Sequence, residues 1–272
     1  DQPVGWDIAG RKEVIRALKR NDFIKYLSRY YKSRNVVVAV AGNIDMAKAR
    51  AQVKKYFKII APGGTGRPLA CKEKQSSPQI KIKYKDTDQA HLILGLRAYD
   101  IFDKRRWALG LLATILGGNL SSRLFIKIRD ELGLGYYIRA STSLSSDHGY
   151  FDVSAGVDTK RVAEAIGVIM SELKKVKKNG VSEAELKKAK DHITGSLWLR
   201  LETLDDIAAF VGGQEIVMSK ILKPEEYVKK SRRVTAQDVL KAARGIMTPK
   251  KLNLAIIGPG GKALERELEK SL

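Results

Sequence analysis

The chain has 272 residues, with 51 Lys and Arg against 30 Asp and Glu, a formal charge of +21, and 44% hydrophobic residues. That length supports a substantial core, and no apolar run approaches the eighteen or so residues a membrane span requires. Residues 1–20 contain Asp1, Asp7, Lys12 and Arg16, which excludes a signal peptide there, and the single cysteine, Cys71, excludes an internal disulfide. The positive charge raises nucleic acid or an acidic membrane as partners. Its clusters, such as Lys174-Lys175-Val-Lys177-Lys178 and Lys229-Lys230-Ser-Arg232-Arg233, are instead scattered and not interleaved with aromatic residues. They read as solvated helix faces, and nucleic acid is a remote alternative.

Taken in order, residues 1–20 are a polar lead-in with a short helical pattern at Val14, Ile15 and Leu18. Asn21 precedes a helix whose apolar positions are Phe23, Ile24, Leu27, Tyr30 and Tyr31. Val36–Ala41 is a continuous apolar run, suited to a strand covered on both faces, and Gly42 ends it. A helix follows over roughly 45–57. Residues 61–78, rich in Gly, Pro and Ser, read as a linker. Ile80, Ile82 and Tyr84 then alternate with lysines as a half-buried strand, and Ala90–Leu96 is a second. Trp107–Leu116 is a helix leading through Gly117-Gly118-Asn119.

The segment from Ser121 to Tyr137 reads as a capped helix, a glycine stop and the start of a strand. Ser121 or Ser122 is the expected cap; Leu124, Phe125 and Ile128 form one apolar face; Gly133 is the left-handed exit. Arg129 and Tyr136 flank that corner, a fixed cation beside a phenol that suits an oxyanion. A hairpin follows over 137–144 and 149–157. Helices then dominate: one through Val162–Leu173, one opened by a Ser182/Glu185 capping box, one over 204–218, a short one from Pro224, and one over 235–246. Leu252–Ile257 is a strand and 263–270 a closing helix.

Self-comparison reveals a repeat. Asp22, Lys25, Ala39 and Gly42 recur as Asp238, Lys241, Ala255 and Gly258 at one offset of 216 residues. The surrounding order also matches: helix, basic turn, apolar strand, glycine. We therefore expect residues 1–60 to be the tail of a first repeat, 61–78 a linker, and 79–272 a second repeat.

The run Ser121-Ser-Arg-Leu-Phe-Ile-Lys-Ile-Arg129, followed by Gly133-Leu-Gly135-Tyr136, resembles the C-terminal half of the M16 zinc metallopeptidases, the family of pitrilysin, insulin-degrading enzyme and the mitochondrial processing peptidases. Gln89-Ala-His-Leu-Ile-Leu-Gly-Leu, Gly180-Val-Ser-Glu-Ala-Glu185-Leu and Trp6-Asp-Ile-Ala-Gly10 extend the resemblance over nearly the whole chain. It implies an α+β, LuxS/MPP-like metallohydrolase fold, an antiparallel sheet flanked by helices, in which two similar halves close on an extended peptide. It also implies that zinc belongs to the other half, held by a His-x-x-Glu-His motif with a downstream Glu. This chain has no such motif; His91, His148 and His192 lie at least forty residues apart, as strand, turn and helix-surface residues.

The resemblance further implies that Arg129 and Tyr136 are the second half's contribution to catalysis, donors facing the carbonyl oxygen under attack. Gly117, Gly118, Asn119 and Tyr137 are the associated substrate-binding candidates. Without the resemblance, an arginine late in a helix serves the helix terminus and a tyrosine opening a strand packs in a core. The expected function is thus the second half of a zinc metalloendopeptidase, binding no metal itself and inactive alone. Its partners are a zinc-bearing half, in the same polypeptide or in a homo- or heterodimer, and an extended peptide. A non-catalytic scaffold subunit that binds peptides is the alternative. With no targeting segment visible, the cytoplasm is the expected compartment, and no membrane is involved.

Overall fold

The computed structural model describes residues 2–66, 68–218 and 220–259; the closing helix expected at 263–270 lies outside them. In chain order its elements are α1 (Lys12–Ala17), α2 (Arg20–Tyr30), α3 (Met46–Tyr56), β1 (Gln79–Tyr84), β2 (Gln89–Ala98), α4 (Arg106–Gly117) and α5 (Arg123–Phe125). A widened helical turn, Ile126–Glu131, continues α5. β3 (Gly135–Leu144), β4 (Gly149–Asp158), α6 (Val162–Asn179), α7 (Glu183–Arg200), α8 (Leu204–Met218), α9 (Pro224–Arg232), α10 (Ala236–Ile246) and β5 (Leu252–Gly258) complete the chain.

Local chemistry sets many of these starts. Asp45 accepts from the Ala47 and Lys48 amides and opens α3. The Ser182 hydroxyl accepts from the Glu185 amide while the Glu185 carboxylate accepts from the Ser182 amide, the reciprocal box expected for α7. Among the described residues no helix is long and apolar enough to cross a membrane.

The chain divides into two compact units. The first joins Asp1–Lys72 to Leu197–Leu222; the second joins Glu73–Ser196 to Lys223–Leu272. The second is built on a five-stranded sheet of order β1-β5-β2-β4-β3. All pairs are antiparallel except β1 with β5, which run parallel. Period-two alternation turns Ala90, Leu92, Leu94 and Leu96 of β2 and Phe151, Val153, Ala155 and Val157 of β4 to one face, all buried. The apolar sides of α4, α6 and α10, through Leu109, Leu112, Ile166, Ile169, Val239 and Ala242, share the same core. Among the described residues the opposite face has no such cover: His91 and Ile93 of β2, Tyr150 of β4 and Arg139 of β3 are exposed. A sheet packed on one face and wet on the other is a normal antiparallel arrangement.

The first unit is different in kind. No described residue before Ala90 is buried. The expected strand at 36–41 is a correction: the segment is extended, with Val36 at φ −125° and ψ 129°, but belongs to no sheet. Nor is it covered on both faces: Val37, Val38 and Val40 are exposed, and no neighbouring backbone pairs with the segment among the described residues. Among the described residues the strand-like pairing nearby is a single parallel bridge from Lys32 to Ala61. The 216-residue offset reappears in three dimensions. α2 and α10, the short turns Ser33–Asn35 and Pro249–Lys251, and the segments 36–42 and 252–258 coincide at that spacing. Even the caps correspond: Asp22 accepts from the Lys19 amide as Asp238 accepts from the Thr235 amide.

Candidate active site at a widened turn and a strand bulge

The candidate residues all lie in the second unit. α4 is nearly all apolar and ends in Gly117, where a Cβ would sit 2.3 Å from the Ala140 amide nitrogen of β3. The missing side chain therefore lets the helix end press onto the strand, and Gly117 is buried. Asn119 forms the next corner: its Oδ1 accepts from the Ser121 amide at 3.0 Å and from the Ser121 hydroxyl at 2.9 Å. The Ser122 hydroxyl donates back to the Asn119 carbonyl, at 2.6 Å, and makes no bond to the first turn of α5. The serine cap expected there is thus replaced by a turn closed on asparagine. Packing and turn formation account for Gly117 and Asn119; Gly118 is exposed.

Beyond α5 the helix widens. The Leu132 amide reaches the Lys127 carbonyl, five residues back, at 3.2 Å, and the Leu134 amide reaches the Ile128 carbonyl at 2.8 Å. Gly133 takes φ +57°, the left-handed exit expected of it. Widened turns of this type interrupt helices mostly as single turns and recur at functional sites. Arg129 lies on this one. It is exposed, its guanidinium carbon stands 5.2 Å from the Phe125 ring centre, and no carboxylate pairs with it among the described residues. Its neighbour Glu131 is held by Lys127 at 2.5 Å.

The strand that follows begins with a bulge. Gly135 pairs with Val157 and Tyr137 with Gly156, so Tyr136 is the extra residue. A bulge breaks the alternation of side chains and re-aims the inserted one. Consecutive tyrosines accordingly both face outward, Tyr136 at 65% and Tyr137 at 42% exposure. Ile138 and Ala140 then resume the buried face. The corner is anchored from below: the Asp158 amide donates to the Leu134 carbonyl at 3.1 Å, and Arg161 donates to the Leu132 carbonyl at 3.2 Å.

Tyr137 has a partner that sequence spacing does not show. Its hydroxyl lies 3.2 Å from His91 Nδ1, and the rings stack at 6.1 Å. Tyr137 and His91 are the two cross-strand neighbours of Gly156, on opposite sides of β4. A Cβ on Gly156 would lie 2.4 Å from the Tyr137 ring, so the glycine is what lets the phenol reach across. The signal was available only through the register of three strands. Among the described residues no three of His, Cys, Asp and Glu gather as metal ligands, and the residues present do not fit a zinc site.

Comparison with known proteins follows the same lines. A family model described as "Peptidase M16 inactive domain" matches residues 17–193. An uncharacterized zinc protease of Mycobacterium tuberculosis is 32% identical over 270 residues, covering 96% of this chain and 60% of that protein. The chain thus spans about three fifths of the length of that relative. A protease from Helicobacter pylori has the same fold, with a TM-score of 0.84 at 23% identity, over 92% of this chain and 61% of its own. A peptidase M16 inactive domain from Pseudomonas fluorescens gives 0.83 at 20% identity, over 93% and 60%.

Proposed function

The chain belongs to the M16 peptidase family, through the inactive domain of that family, and on that footing we propose that it is the second half of a metalloendopeptidase. In this reading residues 1–60 are the tail of a first repeat whose remainder carries the zinc. The second unit forms one wall of the peptide chamber with its uncovered sheet face. The zinc that the relatives' names indicate finds no ligand set among the described residues, and no step is assigned to it on this chain.

The observation that carries the reading is that both candidate donors sit on consecutive backbone irregularities, Arg129 on the widened turn and Tyr136 on the bulge. Each irregularity turns outward a polar group with no hydrogen-bond or ion-pair partner among the described residues. A guanidinium is charged at every working pH and offers a rigid fork of donors. A phenol adds one O–H. Together they suit a peptide carbonyl oxygen that gains negative charge under attack from the opposite wall, where a well-aimed donor is worth on the order of a hundredfold in rate. Tyr137, steadied by His91, and the exposed backbone at Gly118 are the proposed substrate contacts, with Gly117 and Asn119 shaping the corner behind them. The single Cys71 accords with a reducing cytoplasm.

The test is reconstitution. The chain alone should leave peptides uncut, and adding a half that carries a His-x-x-Glu-His motif should produce hydrolysis. Binding of peptide to the assembled pair with no turnover would favour the scaffold reading instead.

A further inference from the structure

We propose that the uncovered sheet face of the second unit selects peptides with carboxylate side chains near the bond to be cut, and that Arg139 is the residue that reads them. This rests on taking that face as one wall of a peptide chamber. The selection follows from strand register. Alternation sends every second residue of each strand to the uncovered side, and pairing lines these residues up across the sheet. One such row runs Lys81, Ala255, Ile93, Ser154, Arg139 from β1 to β3. It has a cation at each end and neutral side chains between them. The next row begins at Lys83 and ends at Tyr137.

Few negative charges answer these cations. The carboxylates at uncovered positions of the five strands are Asp152 and Asp158, and each has a local task. Asp152 Oδ1 accepts from the Ser141 hydroxyl at 2.7 Å, and Asp158 Oδ1 accepts from the Lys160 amide at 2.8 Å. Of the cations, Arg97 stands 3.6 Å from Glu73 and donates to the Lys250 carbonyl at 3.0 Å. Arg139 is different. It is exposed, and its side chain makes no hydrogen bond or ion pair among the described residues. Ser154 lies opposite it on β4, and Tyr137 and Ser141 flank it along the face, all neutral.

Position singles out Arg139 from the lysines. β3 carries Tyr136 and Tyr137, and Arg139 lies two residues beyond them, roughly 7 Å at the rise of a strand. Lys81 and Lys83 lie on β1, at the far edge of the same sheet. An extended peptide advances at the same rise, so a side chain within about three positions of the cut bond comes within reach of the Arg139 fork. A guanidinium binds a carboxylate at two points and repels an ammonium, so one residue supplies both preference and rejection.

The experiment uses the chain assembled with a zinc-bearing half, and two peptides that differ only in carrying glutamates or lysines on both sides of the bond to be cut. At low salt kcat/KM should favour the glutamate peptide at least about tenfold, and the ratio should shrink markedly by about 0.5 M salt. Arg139→Glu should invert the ratio, and Arg139→Gln should lower it by slowing the glutamate peptide. Lys178→Glu makes the same change of net charge at an exposed site on α6, away from this face, and should keep the ratio. Urea midpoints show that each variant folds. Equal rates on the two peptides, or a preference that survives both Arg139 variants, overturns the proposal. So does a ratio that Lys178→Glu alters as much as Arg139→Glu. If the assembly cuts neither peptide, fluorescence anisotropy with the same peptides carrying an uncuttable reduced bond gives the second readout. A binding preference for glutamate that Arg139→Glu removes would uphold the selection and count against the roles of Arg129 and Tyr136. Equal binding, or none, overturns the selection itself.

Discussion

Arg123 and Glu185 meet in a two-point ion pair, Nε to Oε1 at 2.5 Å and Nη2 to Oε2 at 2.8 Å. The pair ties the helical segment bearing Arg129 to the first turn of α7, whose Ser182 amide also donates to Glu185 at 2.9 Å. Hydrogen bonding from Arg123 is the main reason that the Glu185 carboxyl titrates at about 2 rather than 4.5, and the same contact raises the Arg123 guanidinium. Because the folded-state value lies below the ordinary one, ionisation favours folding. The contribution is complete above about pH 4.5 and disappears as pH falls toward 2. Glu185→Gln should therefore lower stability at pH 7 by about 1–2 kcal/mol, after allowing for solvent screening, and by much less near pH 2. Urea midpoints of both proteins across that range check it; a difference independent of pH would dissociate the carboxylate from the effect.

Arg129→Ala and Tyr136→Phe should each lower turnover of a peptide by the reconstituted enzyme at least about tenfold. Both side chains are exposed, so the unfolding free energy should move by less than about 0.5 kcal/mol. Arg129→Lys should recover only part of the loss, since an ammonium keeps the charge without the fork. Steady-state kinetics decide, and unchanged turnover in both of the first two variants removes the assignment.

Gly149 opens β4 at a point where a Cβ would lie within van der Waals contact of a backbone, 1.9 Å from the Tyr99 carbonyl oxygen. Backbone cannot swing aside as a side chain does. Gly149→Ala should destabilise the protein by about 3 kcal/mol or more. Gly167, inside α6, has nothing within 4 Å of its added Cβ. Gly167→Ala should stabilise by about 0.5–1 kcal/mol through helix propensity alone. Thermal or chemical unfolding of the two variants gives opposite signs if the packing is as described.

Gly156→Ala should displace the exposed Tyr137 ring and break its contact with His91, while the fold persists, because the obstructing atoms belong to side chains that can move. Tyr137→Phe should remove the hydrogen bond and keep the stacking. The His91 ring signals in NMR should shift in both variants, and a His91 spectrum indifferent to both would show that the pair does not persist in solution.

Much of the second unit is legible in the sequence because its core follows simple periods. The alternation at Ile80 and Ile82, the apolar face of α10 and the Ser182/Glu185 box each announce an element from neighbouring residues. In the first unit, the bounds expected for α8, 204–218, also agree with those observed. Gly133 also told its own story. What could not be read are features decided by distant partners. The widened turn at Arg129 depends on how Ile128 and Leu134 pack, and the bulge at Tyr136 on the register against β4. The contact between Tyr137 and His91 joins residues 46 positions apart through a third strand. Val36–Ala41 failed for the converse reason: its composition suits a strand, but a strand is a relation between two backbones, and composition describes one.

The placement of β5 governs the order of events in synthesis. Since β5 is wedged between β1 and β2, β1 emerges from the ribosome more than 160 residues ahead of the one strand that pairs with it among the described residues. Until Leu252–Gly258 arrives, β1 has nothing to pair with and one edge of β2 stays bare. Both edges therefore stay uncovered through the synthesis of all the intervening helices, and a product truncated before Leu252 could not close this sheet.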